Sequence, residues 1–175
     1  MATRKSIWVH LGILVISIWI LGSVIQAGAE TTLKFKSYTY VTKAESFPVG
    51  DVDGHTVGYT TRRAFLVFEN GEVATQKSVS TSDAIKGSGA SLTYQNITFS
   101  DGSTIIIKAV GTVTGTGPMV YQSIKMTREI IKGTGRFEGI KGTGSTTVKY
   151  FPVEAGEAGP RRIGEGTLTY TLPTK

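Results

Sequence analysis

The chain has 175 residues, enough for one domain of ordinary size, with 22 glycines, no cysteine and a formal net charge of +6. The missing cysteines exclude disulfides, a thiol nucleophile and thiolate-bound zinc or iron–sulfur centres, while abundant glycine with only 9% aromatic residues favours β structure. The positive charge is dispersed in pairs such as Arg62-Arg63 and Arg161-Arg162 rather than gathered in a run, which argues against a nucleic-acid partner.

Residues 1–29 come first and read as a secretory signal. Arg4 and Lys5 form a basic start, residues 11–25 an uncharged apolar core, and Ala27-Gly28-Ala29 a small-residue site that predicts cleavage before Glu30. The apolar run extended over residues 7–25 is also long enough to span a bilayer as an uncleaved anchor, the one route by which the chain would touch a membrane. Either way the domain of residues 30–175 is exported, to a periplasmic or extracellular setting. Both tryptophans, Trp8 and Trp19, and His10 fall in the leader, so the exported domain keeps one histidine, His55. That inventory excludes HExxH-type zinc sites, and neither a G-x-S-x-G elbow nor a phosphate-loop spacing is present; no cofactor and no metal site is expected.

The exported part then reads as β runs between turn signals. Residues 33–42 alternate, with Leu33, Phe35, Ser37, Thr39 and Val41 on one face and Lys34, Lys36, Tyr38 and Tyr40 on the other. Residues 43–56, with Pro48, Gly50, Asp51, Asp53 and Gly54, read as a long loop. Two runs joined at Asn70-Gly71 and two joined at Asp101-Gly102 predict hairpins, separated by a small-residue linker over 81–89. Residues 120–131 fit a strand or a helix of about three turns; the β surroundings favour the strand. A glycine-dense connection over 133–144, a strand over 145–151, a loop over 152–162 and a last strand over 164–172 complete the chain. Eight candidate strands predict an all-β domain, an eight-stranded antiparallel up-and-down β-barrel of calycin-like form, with a two-sheet sandwich as the alternative. A barrel of that size is filled by side chains or holds one small ligand.

The segment Gly133-Thr134-Gly135-Arg136-Phe137-Glu138-Gly139-Ile140-Lys141-Gly142 resembles the glycine-rich signature of the allene oxide cyclase-like barrel superfamily. In that family a strand runs into G-[TA]-G-x-F-x-G-x-x-G and then into another strand; plant dirigent proteins carry a related version. The resemblance covers about residues 90–151 and implies an apolar substrate held inside the barrel, catalysis by shape control with a carboxylate and an ordered water, and a homo-oligomer. Apart from the family, Gly133, Gly135, Gly139 and Gly142 read as structural positions that permit positive φ or close strand approach, and Phe137 as the apolar anchor of the connection on the barrel end.

Several residues are candidates for function. Glu45 supplies a carboxylate where the family has a glutamate-asparagine motif, but the asparagine is missing and Lys43 stands beside it, which favours a solvated acid at a loop start over a pocket carboxylate. His55, after Asp51-Val52-Asp53-Gly54, invites a metal or acid–base role against an exposed turn. Lys108 shares a face with Ile106 and Val110, and Arg128 with Ile124, Met126 and Ile130. Each cation therefore lies either outside, free on the surface or paired with an acid such as Glu129, or inside, where it would bind a carboxylate; with Tyr40 they form the candidate ligand-binding set. Asn96-Ile97-Thr98 is a glycosylation sequon. Together these features predict an exported barrel that binds a small apolar or amphipathic ligand or serves as an envelope scaffold, without catalysis. The alternatives are a cyclase- or dirigent-like enzyme steering an intramolecular ring closure or coupling, and an adhesion module.

Overall fold

Alternation of inward and outward side chains organises the whole domain. The computed structural model describes residues 28–117 and 120–174, and nearly all of the expected leader, including Arg4, Lys5, Trp8, His10 and Trp19, lies outside them. Eight strands follow one another: β1 (Thr31–Pro48), β2 (His55–Phe68), β3 (Val73–Ile85), β4 (Ser88–Phe99), β5 (Thr104–Gly117), β6 (Val120–Thr134), β7 (Lys141–Tyr150) and β8 (Arg162–Thr171). Each pairs antiparallel with the next, and β8 returns to β1 through a ladder from Thr31 opposite Tyr170 to Thr39 opposite Arg162, which closes an up-and-down barrel. Closure removes the sheet edges that a sandwich would leave.

Residues 120–131, the one segment with a helical alternative, are strand. Ile124, Met126, Arg128 and Ile130 need a period of two to reach one interior, and β5 pairs along this segment. The structure corrects two expected loops. β1 continues through a bulge between Val41 and Lys43, with the Thr42 and Thr61 hydroxyls hydrogen-bonded at 2.7 Å, and stays paired with β2 as far as Pro48 opposite Thr56. Much of the small-residue linker is likewise strand: Thr81, Ser82 and Ala84 belong to β3, and the turn shrinks to Lys86 and Gly87, both at positive φ, the geometry of a tight hairpin.

The interior divides along the barrel axis. At one end Leu66, Phe68, Ile97, Phe99, Ile105, Ile107 and Leu168 are buried together. A 3-10 turn at Gly135–Phe137 folds the β6–β7 connection over this end and drives Phe137 into it, 4.8 Å from the Phe99 ring and 6.2 Å from Tyr170. Gly135 and Gly139 take positive φ around that plug, and a Cβ on Gly133 would collide with the Phe137 carbonyl oxygen. Arg136 pins the plug from outside. It stacks 4.8 Å from the Phe99 and Phe137 rings and pairs with Glu72 at 2.5 Å and Asp101 at 3.6 Å, tying the three connections of this end together.

Candidate functional site

Away from the plug the same alternation sends short polar side chains inward. Thr60, Ser78, Ser80, Ser91, Thr93 and Gln95 are all buried, so β2, β3 and β4 line the open half with hydroxyls and amides rather than hydrocarbon. Parity then decides which member of each arginine pair enters. Arg62 shares its face with Ala64, Leu66 and Phe68, and donates to the Ser80 hydroxyl at 2.9 Å, which bonds Thr93 at 2.8 Å. Arg162 shares its face with Gly164 and Leu168 and points toward the same space, whereas Arg161 pairs with Glu154 and Glu157 in the preceding loop.

Arg128 completes the group from β6. Only 9% of it is exposed, and it donates to the neutral Gln95 amide oxygen at 2.6 Å. Burial lowers its pKa to about 10, and the neighbouring Arg162 pushes in the same direction. Two small cavities, of about 40 Å³ and 20 Å³, lie against Arg128 and Arg162, the larger one also against Arg62, and among the described residues no carboxylate lines either one. Ser78, between Arg62 on β2 and Gln95 on β4, keeps its hydroxyl buried without a hydrogen-bond partner among the described residues. The open half is thus a small, hydroxyl-lined, strongly cationic chamber.

The wall beside the chamber is parted. β6 and β7 pair only at three positions, Arg128 with Gly144, Glu129 with Thr143 and Ile130 with Gly142. Beyond them, among the described residues, β6 pairs with β5 alone and β7 with β8 alone. Arg128 therefore stands at the last rung, where the two strands separate. Ile124 and Met126 on one side and Val148 on the other line the chamber at this gap. A larger groove of about 600 Å³ runs over β1, β2 and β8, but it is open to solvent and its lysines are already matched, Lys34 to Glu69 at 4.0 Å and Lys36 to Glu165 at 3.7 Å.

Of the residues singled out in the sequence, Arg128 alone of the ligand-binding set reaches the interior. Tyr40 and Lys108 leave their strands on the outer face: Tyr40 is 47% exposed, and Lys108 lies between the buried Ile107 and Ala109, opposite Tyr94 and Glu129. Strand parity fixes both placements and keeps both away from the chamber. Glu45 follows the bulge on β1 and bonds Lys43 at 2.8 Å on the surface, so the chamber receives no carboxylate from it. The glycine motif surrounds the plug, with Gly142 on β7 packed where a Cβ would meet the Thr169 carbonyl. Sequence reasoning passed over Arg62, Arg162 and Gln95; the available signal was parity with their apolar neighbours.

His55 opens β2 rather than sitting in a free turn. Its Nδ1–H donates to Asp51 at 2.6 Å and its Nε2–H to Asp83 on β3 at 2.8 Å. Carboxylates only accept, so a ring bonded to both is an imidazolium, and its pKa is raised by Asp83 first and Asp51 second. Neither nitrogen retains a lone pair for a metal. The pair instead clasps the 49–54 loop to β3.

No protein-family model and no curated protein matches the chain. Solved structures do resemble it. The pterocarpan synthase dirigent protein GePTS1 superposes with a TM-score of 0.52 at 19% identity, over 93% of this chain and 98% of that one. The pterocarpan synthase dirigent protein PsPTS1 gives 0.49 at 19% identity over 85% and 99% of the two chains, and a DUF3224-family protein of unknown function from Shewanella oneidensis gives 0.49 at 18% over 83% and 98%. The first likeness shows that this chain has the barrel fold of a dirigent protein, the fold expected from the glycine signature.

Proposed function

We propose that this protein is a non-catalytic binding barrel whose open half holds a small amphipathic ligand by its polar end. One observation carries the reading: a buried cation, Arg128, without a carboxylate partner among the described residues, set where the barrel wall parts. Volume limits what enters. A cavity of about 40 Å³ has room for the polar end of a ligand or for two to four waters, at roughly 10–15 Å³ for each water centre. A wholly enclosed apolar substrate, which the family resemblance implies, does not fit that space, and the rest of the ligand lies at the gap or the mouth.

The cyclase- or dirigent-like alternative is less well supported. Among the described residues the chamber has no carboxylate, and an arginine with a pKa near 10 stays protonated at neutral pH, so those residues offer no general base. In the exported setting that the leader implies, the ligand is an envelope or extracellular metabolite. Native mass spectrometry of protein purified from its own host tests the reading, with a co-purifying small molecule as the expected result. A bare protein that also shows no thermal shift across a fatty-acid and polyphenol panel would replace it with the envelope-scaffold reading.

A further inference from the structure

The chamber's charge is unbalanced in a way that a neutral ligand does not correct. Three arginines converge on it, and among the described residues the lining supplies no carboxylate. Arg128 carries five N–H donors, of which the described contacts use one, to Gln95. Arg162 makes no side-chain hydrogen bond or ion pair among the described residues, and its charge disfavours that of Arg128. Arg62, bonded to Ser80, adds positive field from the opposite wall. A buried cation is costly unless it is paired and hydrogen-bonded, and guanidinium groups match planar oxyanions through two parallel bonds.

Resting on the amphipathic-ligand reading above, we infer that the polar end is an oxyanion, a carboxylate in the first instance, gripped between Arg128 and Arg162, with its apolar tail leaving through the gap between β6 and β7. The gap begins at Arg128 itself, so head and tail positions adjoin. Ile124, Met126 and Val148 give the tail apolar contacts on both sides of it. The chamber's small volume favours a bare carboxylate over a bulkier phosphate ester, although both present the same chemistry to the arginines.

Titration calorimetry with sodium decanoate, 1-decanol and inorganic phosphate as probes separates the parts of this inference. Decanoate is expected to bind at least tenfold more tightly than either of the others, because only it has both head and tail. Arg162→Gln changes a half-buried residue and should keep the far-UV circular dichroism spectrum while weakening decanoate at least tenfold and leaving decanol unchanged. Arg128→Gln is the second variant and should do the same. Equal binding of decanol and decanoate would overturn the oxyanion assignment and leave the binding-barrel reading standing. Phosphate as tight as decanoate would overturn the tail route. Failure of all three probes, together with a protein bare of ligand from its own host, would remove both readings.

Discussion

Arg128 sets the protein's interior against its own stability. Its pKa of about 10 corresponds to roughly 3 kcal/mol acting against the charged form, while its bond to Gln95 returns about 1.5–3 kcal/mol. Arg128→Met should therefore raise unfolding stability by about 1 kcal/mol in urea titration while abolishing decanoate binding. A loss of about 2 kcal/mol instead would mean that the guanidinium is well paired, contrary to the structure. His55 acts with the opposite sign. Its pKa is raised above 6.5 by Asp83 and Asp51, so the clasp contributes fully below that value and is lost as pH rises through the raised one. The melting-temperature advantage of the wild type over His55→Asn should hold below pH 6.5 and shrink as the pH rises above it; a constant difference would rule out the doubly bonded imidazolium. Asp51, held below its ordinary range chiefly by His55, keeps its share of the clasp until the pH falls under 3.8. The inward face of Arg128 was open to reading from Ile124, Met126 and Ile130. Its partners were not, since Arg62-Arg63 and Arg161-Arg162 look like surface charge until the strand phase is known.

The elements were legible wherever the interior is apolar. Leu33 to Val41, the Asn70-Gly71 and Asp101-Gly102 hairpins and the Phe137 connection all follow from hydrophobic alternation and turn chemistry. Where the interior is polar the alternation has no hydrophobic contrast, and the end of β3 from Thr81 through Ser82 and Ala84 looks like linker because its residues are small and mostly polar. The plug is the element on which the apolar end depends. Phe137→Ala removes a ring packed against Phe99 and Tyr170 and should cost about 3–5 kcal/mol, read by denaturant titration. Gly133→Ala leaves the hydrophobic content untouched but meets the Phe137 carbonyl, and should cost about 1–3 kcal/mol by displacing the same turn. If both variants unfold like the wild type, the glycine signature is not holding the barrel end.

Across the whole molecule, the two halves of one barrel have different duties. The end around Leu66, Ile97, Ile105 and Leu168 is almost solvent-free and closed by three linked connections, so it holds the ring of strands in register. That support lets the other end carry buried hydroxyls, a buried arginine, Arg128, with no carboxylate partner among the described residues, and a parted wall, each of which lowers local stability. Hydrogen exchange should show the division directly. Amides of the strands around Ile105, Ile107 and Leu168 are expected to exchange slowest. In residues 124–127 of β6 and 145–149 of β7, the amides that face the gap should exchange fast, because β5 and β8 hold only the opposite edges of these strands. Decanoate should slow the gap-facing amides and leave the plugged end unchanged, since a tail lying between the strands shields the gap without touching the apolar core. Gap amides as protected as the core in the free protein would mean a sealed wall. The arginine chamber would then be reachable only from the mouth, and a ligand held there would have its tail among the loops rather than between the strands.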